Sequence, residues 1–173
     1  FQFKVSDGTA YSTAAGTNTI NLAAVNDLPT TGDQTISATE DVADMYASGD
    51  FTYADVDSDS ITHVKITTLE SAGTLFVDAD DDDTYDANED VTLNQIIAIG
   101  DITDLGFVGA ANANGNSYAT WQFKVSNGAG YSTAAGTNTI NLAAVNDLPT
   151  TGDQTISATE DVADMYASGD FTY

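Results

Sequence analysis

Residues 1–53 and 121–173 are the same sequence at all but four positions: Phe1/Trp121, Asp7/Asn127, Thr9/Ala129 and Ala10/Gly130. The period is 120 residues, and the 173-residue chain is one period plus 53 residues of the next. Solenoid units recur every ~20–50 residues, whereas this period is the size of a whole domain, so the pattern reads as domains strung in tandem. The joint between them falls at Val25-Asn26-Asp27-Leu28-Pro29, repeated at Val145-Asn146-Asp147-Leu148-Pro149. Proline holds the preceding residue extended and offers no N–H to a sheet, which suits a short stiff connection. Residues 1–25 then read as the C-terminal strands of one repeat, 26–146 as a complete repeat, and 147–173 as the N-terminal strands of the next. Phe1 and Tyr173 each fall inside a strand-like run, so the chain reads as a window of a longer array.

Apolar residues alternate with polar ones at period two, and no sustained 3.6-residue periodicity is present. Strands are expected at 2–5, 18–24, 34–37, 50–53, 61–69, 74–77, 91–93, 96–99, 105–108, 119–125 and 138–144. Turn pairs such as Asp7-Gly8, Asn114-Gly115 and Asn127-Gly128 separate several of them. Seven or eight short strands per 120 residues predict an all-β fold, an immunoglobulin-like antiparallel β-sandwich in tandem array. Trp121, Phe123, Val125, Ile140 and Leu142 are candidate core residues. Trp121 aligns with Phe1 of the other copy, which favours a core position over a sugar-stacking platform.

Charge narrows the function. The chain has 27 Asp plus Glu against three Lys, a formal net charge of −24. Nucleic-acid binding requires basic residues that displace phosphate counterions, and these are nearly missing. With no Cys there is neither a disulfide framework nor a thiolate metal site. No apolar run reaches the ~18 residues of a membrane helix. Paired carboxylates serve glycoside hydrolases, but the acids here stand in runs on turns, away from the apolar surroundings that raise a catalytic acid. His63 is the only His and lies on an alternating strand, without partners for a triad. The chain therefore reads as a non-enzyme.

Carboxylates at this density repel one another unless something offsets the charge, either solvent or a hard cation. Numbered from Asp78, the run Asp78–Asp90 matches the spacing of a twelve-residue calcium loop. Asp78, Asp80 and Asp82 fill positions 1, 3 and 5; Thr84 offers a carbonyl at 7; Asp86 falls at 9 and Glu89 at 12. Asp83 stands at position 6, where glycine is usual, and Asp tolerates positive φ better than most residues. The bland alternative is an acidic solvated hairpin turn. A second group surrounds the joint: Asn26, Asp27, Glu40, and Asp55, Asp57 and Asp59, whose alternation in an extended segment aims them the same way. These are candidates to clamp an ion between domains, against the alternative of ordinary turn residues. The second joint repeats Asn146, Asp147, Glu160 and Asp161.

Val-Asn-Asp-x-Pro, Thr39-Glu40-Asp41, Phe51-x-Tyr53-x-Asp55-x-Asp57 and Phe3-Lys4-Val5-Ser6-Asp7-Gly8, with its copy from Phe123, together resemble the tandem cadherin-like domains of giant bacterial surface adhesins. The resemblance covers the whole chain. It implies calcium-stiffened β-sandwiches that extend an extracellular, cell-surface fibre, with Ca2+ as the bound ion. It also implies neighbouring repeats of the same chain as partners, and other copies in a fibre. Asn26, Asp27, Glu40, Asp55 and Asp57 are the linker candidates that carry over, and Asp78–Glu89 is the intradomain one. Near-identical copies suit a spacer whose task is length. The alternatives are a glycan- or cell-binding adhesion module, or a filament subunit completed by strand exchange between chains.

Overall fold

A computed structural model describes residues 1–171; Thr172 and Tyr173, the end of the third segment, lie outside the described residues. The chain is all-β. Its strands are β1 (Gln2–Phe3), β2 (Gly16–Thr17), β3 (Gln34–Thr39), β4 (Asp44–Met45), β5 (His63–Thr68), β6 (Thr74–Val77), β7 (Ile96–Ala98), β8 (Leu105–Val108), β9 (Gly115–Ser126) and β10 (Gly136–Ala143). The helical pieces among the described residues are short 3-10 turns at Ser48–Asp50, Ile99–Asp104 and Ser168–Asp170. No helix among these residues is long and apolar enough to cross a membrane.

Two sheets carry the middle of the chain, one in the order β3-β10-β9-β5-β7 and one in the order β4-β8-β6. A single buried cluster draws on both. Period-two alternation places it there: Ala119, Trp121, Phe123 and Val125 of β9 face inward, as do Ile140 and Leu142 of β10. Tyr46, Phe51, Trp121 and Phe123 meet edge-on or tilted, with Phe51 and Phe123 at 5.2 Å and 89°. Trp121 Nε1 donates to the Tyr46 hydroxyl at 3.2 Å. Burial pushes the Tyr46 phenol far above its ordinary value, so it stays a neutral acceptor there. Gly106 lets β8 pass close to its neighbours, since a Cβ would collide with the Phe76 ring and the Met45 sulfur.

Several expectations are corrected. The pairing is not wholly antiparallel: β3 and β10 pair in parallel, Gln34 opposite Asn138 through Thr39 opposite Ala143. They open and close the two-sheet body and enter its large sheet in the same direction. Residues 50–53 end a 3-10 turn instead of forming a strand, and Ala54 makes an isolated bridge to Thr30. Residues 91–93 are not a strand; the bridge on that side is Asp90 to Phe76. Strand β4 had no sequence signal, because two residues are too few to show alternation.

The repeat adds an internal control. Asn138–Ala143 is strand, while the identical Asn18–Ala23 is not; Gln34–Thr39 is strand, while Gln154–Thr159 is not. Strand β10 lies between β3 and β9, whereas in the first copy the β1–β2 ladder stops at Asn18, which exchanges hydrogen bonds with Phe1. Trp121 is 1% exposed and its counterpart Phe1 is 71% exposed. Trp121→Ala is therefore expected to destabilise the protein by about 3–5 kcal/mol, and Phe1→Ala by less than about 0.5 kcal/mol, in urea unfolding followed by near-UV circular dichroism. Equal effects would show that the two copies share one environment.

Candidate metal centre

The loop between β6 and residue 90 curls around one carboxylate. Asp78 is buried, and its Oδ1 accepts the backbone N–H groups of Asp80, Asp81 and Asp82 at 3.3, 2.9 and 3.4 Å. Its Oδ2 accepts the Asp83 N–H at 2.7 Å. Glu89 closes the loop from the other end: Oε1 accepts from Ala79 N–H and Oε2 from Asp86 N–H, both at 2.8 Å. Asp82 Oδ1 accepts from the Thr84 N–H and hydroxyl. Asp81 and Asp83 take φ of 61° and 59°, so the position where glycine is usual is filled by an Asp in the left-handed region. Tyr85 lies across Phe76, with ring centroids 5.6 Å apart, and fastens the loop to β6.

This folding brings carboxylate oxygens of Asp78, Asp80 and Asp82 within 4.8 Å of one another. The electrostatics match the crowding. Asp82 first, then burial, then Asp78, Asp86 and Glu89 hold the Asp80 carboxyl above its ordinary value. Asp86 and Glu89 therefore act on the same point although they are not in the trio. Burial pushes Asp78 up, but its four backbone donors outweigh that and hold it below the usual carboxylate range. The lysines are directed elsewhere: Lys4 to Thr13 O, Lys124 to Thr133 O, and Lys65 over the Tyr131 ring. Converging anionic oxygens of this kind could hold a hard, oxygen-seeking cation.

The joint candidates divide. Asp55 does not sit in an extended segment. Its Oδ1 accepts from Asp57 and Asp59 N–H, Ser58 takes φ 66°, and Tyr53 donates to Asp59 O. The alternation expected to aim three carboxylates together is thereby lost, and among the described residues only the Asp78 trio reaches metal-binding spacing. Asn26 and Asp27 do reach this corner: Asn26 Nδ2 donates to Asp27 O, and Asp27 N–H donates to Asp57 Oδ2 at 2.7 Å. Asn127 joins them, with Nδ2 donating to Asp27 O and Asp55 Oδ2 at 2.9 and 3.1 Å. Sequence reasoning missed Asn127; its one signal was the Asp7/Asn127 difference between copies.

Glu40 stands apart from that corner. It follows the far end of β3, roughly 16 Å of strand beyond Gln34, and pairs with the end of β10: Glu40 N–H donates to Ala143 O, and Val145 N–H to Glu40 Oε2 at 3.1 Å. It is 2% exposed, and its Oε1 has no protein donor. Grouping Glu40 with Asn26 and Asp27 is therefore corrected. The parallel β3–β10 pairing carries it to the start of the second joint, at Val145.

No protein-family model matches the chain, and no curated protein and no solved structure matches it.

With a chelator present at neutral pH and low salt, Asp80→Asn is expected to raise the thermal midpoint, because it removes the charge on which four other carboxylates act. Asp78→Asn is expected to lower it, because the backbone donors lose a charged acceptor. Both shifts should narrow near 1 M salt, where the Debye length is about 3 Å. A lowered midpoint in Asp80→Asn, or a raised one in Asp78→Asn, by calorimetry would contradict this assignment.

Proposed function

We propose that the chain is a calcium-stiffened spacer, a run of tandem all-β domains that extends a cell-surface fibre or adhesin outside the cell. The observation that carries this reading is the convergence of Asp78, Asp80 and Asp82 in a loop whose backbone already holds the carboxylates in place. Asp86, Glu89 and the Thr84 carbonyl are the further oxygens the loop offers. Calcium takes six to eight oxygens, and its binding here would replace mutual repulsion by attraction to one centre. The near-identity of the copies supports length as the product, because adhesion to a target needs one site and not a repeated one. Trp121 lies in the core, which removes the most obvious platform for stacking a sugar.

Stiffness at the joints draws on the groups gathered around each of them. Asn26, Asp27, Asp55 and Asp57 serve the joint preceding the complete repeat. Glu40 serves the joint after it, with Asn146 and Asp147. A buried carboxylate oxygen without a donor is strongly disfavoured, and a cation at that joint would satisfy Glu40 Oε1. Neighbouring repeats of the same chain are then the partners.

Calcium titration under calorimetry tests the reading. Extracellular modules bind at about 10⁻⁴–10⁻³ M, so about 10 mM calcium should stabilise the protein by about 1.4–2.7 kcal/mol over chelator. Asp82→Ala should remove most of that gain, while magnesium at equal concentration should give less. An identical midpoint with calcium and with chelator would overturn the proposal. Glu40→Gln should leave the loop's contribution intact and abolish calcium-dependent protease resistance at residues 145–149.

A further inference from the structure

The four differences between the copies fall in β9 and the hairpin that follows it, and two of them face the joint. In hairpin 6–11, Asp7 Oδ1 accepts the N–H groups of Thr9 and Ala10, both at 2.9 Å. In hairpin 126–131, Asn127 Oδ1 accepts from Ala129 and Gly130 at 3.0 and 3.3 Å. Each hairpin also closes with the same bridge, Ser6 to Tyr11 and Ser126 to Tyr131. Exchange of Asp for Asn thus keeps the turn and alters only the outward arm. That arm is a donor in Asn127, reaching Asp27 O and Asp55 Oδ2. An Asp arm has no proton to give and would set a second carboxylate against Asp55. The other difference is steric: a Cβ at Gly130 would stand 2.5 Å from Leu28 Cδ2. Copy one carries Ala10 there. Leu28 itself is half-exposed, at 49%.

We infer that hairpin Ser126–Tyr131 is a seat for the joint of its own domain, and that Asn127 and Gly130 are the two positioning residues that make it one. Asn127 holds the Asp27 carbonyl, Asp57 holds the Asp27 N–H, and Gly130 leaves room for Leu28. The seat fixes the chain's approach to the domain through hydrogen bonds and one apolar contact, without a metal. A hairpin with Asp and Ala at these positions folds the same turn and does not hold its joint. Stiffness along such a chain is then written in two hairpin residues as well as in the acidic loops.

Hydrogen exchange read residue by residue in the full chain, in chelator, tests this independently of calcium. Asp27 N–H should exchange roughly tenfold or more slowly than Asp147 N–H, since it is held by Asp57 Oδ2 while Asn127 holds the Asp27 carbonyl. Asn127→Asp, the residue of copy one, should bring Asp27 to the Asp147 rate, and Gly130→Ala should speed Asp27 exchange by less, because Leu28 can turn its tip aside. The thermal midpoint and the protection of β9 and β10 should stay unchanged in Gly130→Ala, because the clash falls on the tip of a half-exposed Leu. Ala129→Thr, the remaining hairpin difference, should change neither. Equal rates at Asp27 and Asp147 in the unaltered protein, or an Asp27 rate indifferent to both substitutions, would overturn the inference.

Discussion

An excess of carboxylates with almost no cations to pair them is the constraint on which this structure turns. The chain answers it with its own backbone. Asp44 caps the Thr39 N–H, Asp50 the Ala47 N–H, Asp33 the Thr137 N–H, and Asp55, Asp78 and Glu89 gather two or more protein donors apiece. Charge-assisted bonds of this kind are stronger than neutral ones and suit loops, where N–H groups are free of ladders. Most turns of the domain are therefore organised around an acid. The same bonds fix where the remaining oxygen lone pairs point, so a loop built to satisfy Asp78 also presents Asp80 and Asp82 side by side.

The two acidic regions differ in kind. At Asp78 the carboxylates converge, and their mutual repulsion is visible in the raised Asp80 carboxyl. At the first joint the acids are separated by donors, with Asn127 placed between Asp27 and Asp55. The second joint has one deeply buried acid, Glu40, whose free oxygen faces no protein donor. A cation has most to offer where charges are unshielded, and the hydrogen-bonded first joint is held by neutral groups as well. Calcium-dependent and calcium-independent stiffness thus have separate structural origins in the proposed spacer.

Legibility of the fold varied with the range of the interaction. Thr74–Val77 and Leu105–Val108 were read with their observed limits, and Trp121, Phe123, Val125, Ile140 and Leu142 were read as core, because alternation reports which face is buried. The convergence of Asp78, Asp80 and Asp82 was legible because these carboxylates come from one short stretch. Placement of Glu40 was not, since it depends on β3 lying parallel to β10 across 104 residues of chain, Gln34 opposite Asn138. Nor was the curl of Asp55–Asp59, where local side-chain to backbone bonds replaced an extended run.

The repeat separates the two levels within one molecule. Both copies form the Asp41 and Asp161 left-handed residues, at φ 63° and 62°, and the 3-10 turns at Ser48 and Ser168. Both form the capping bonds from Ala47 and Ala167 to an Asp three residues on, and the lysine contacts of Lys4 and Lys124. These were settled by sequence alone, because every partner lies within about ten residues and closing such a loop loses little entropy. The long β3 and β10 strands, burial of the Trp121 and Phe123 rings and seating of the joint occur in one copy only, the first copy keeping just the two-residue pair β1–β2. Their partners lie a whole domain away in sequence, and a strand or a Phe ring without its partner gains too little buried surface to hold its place.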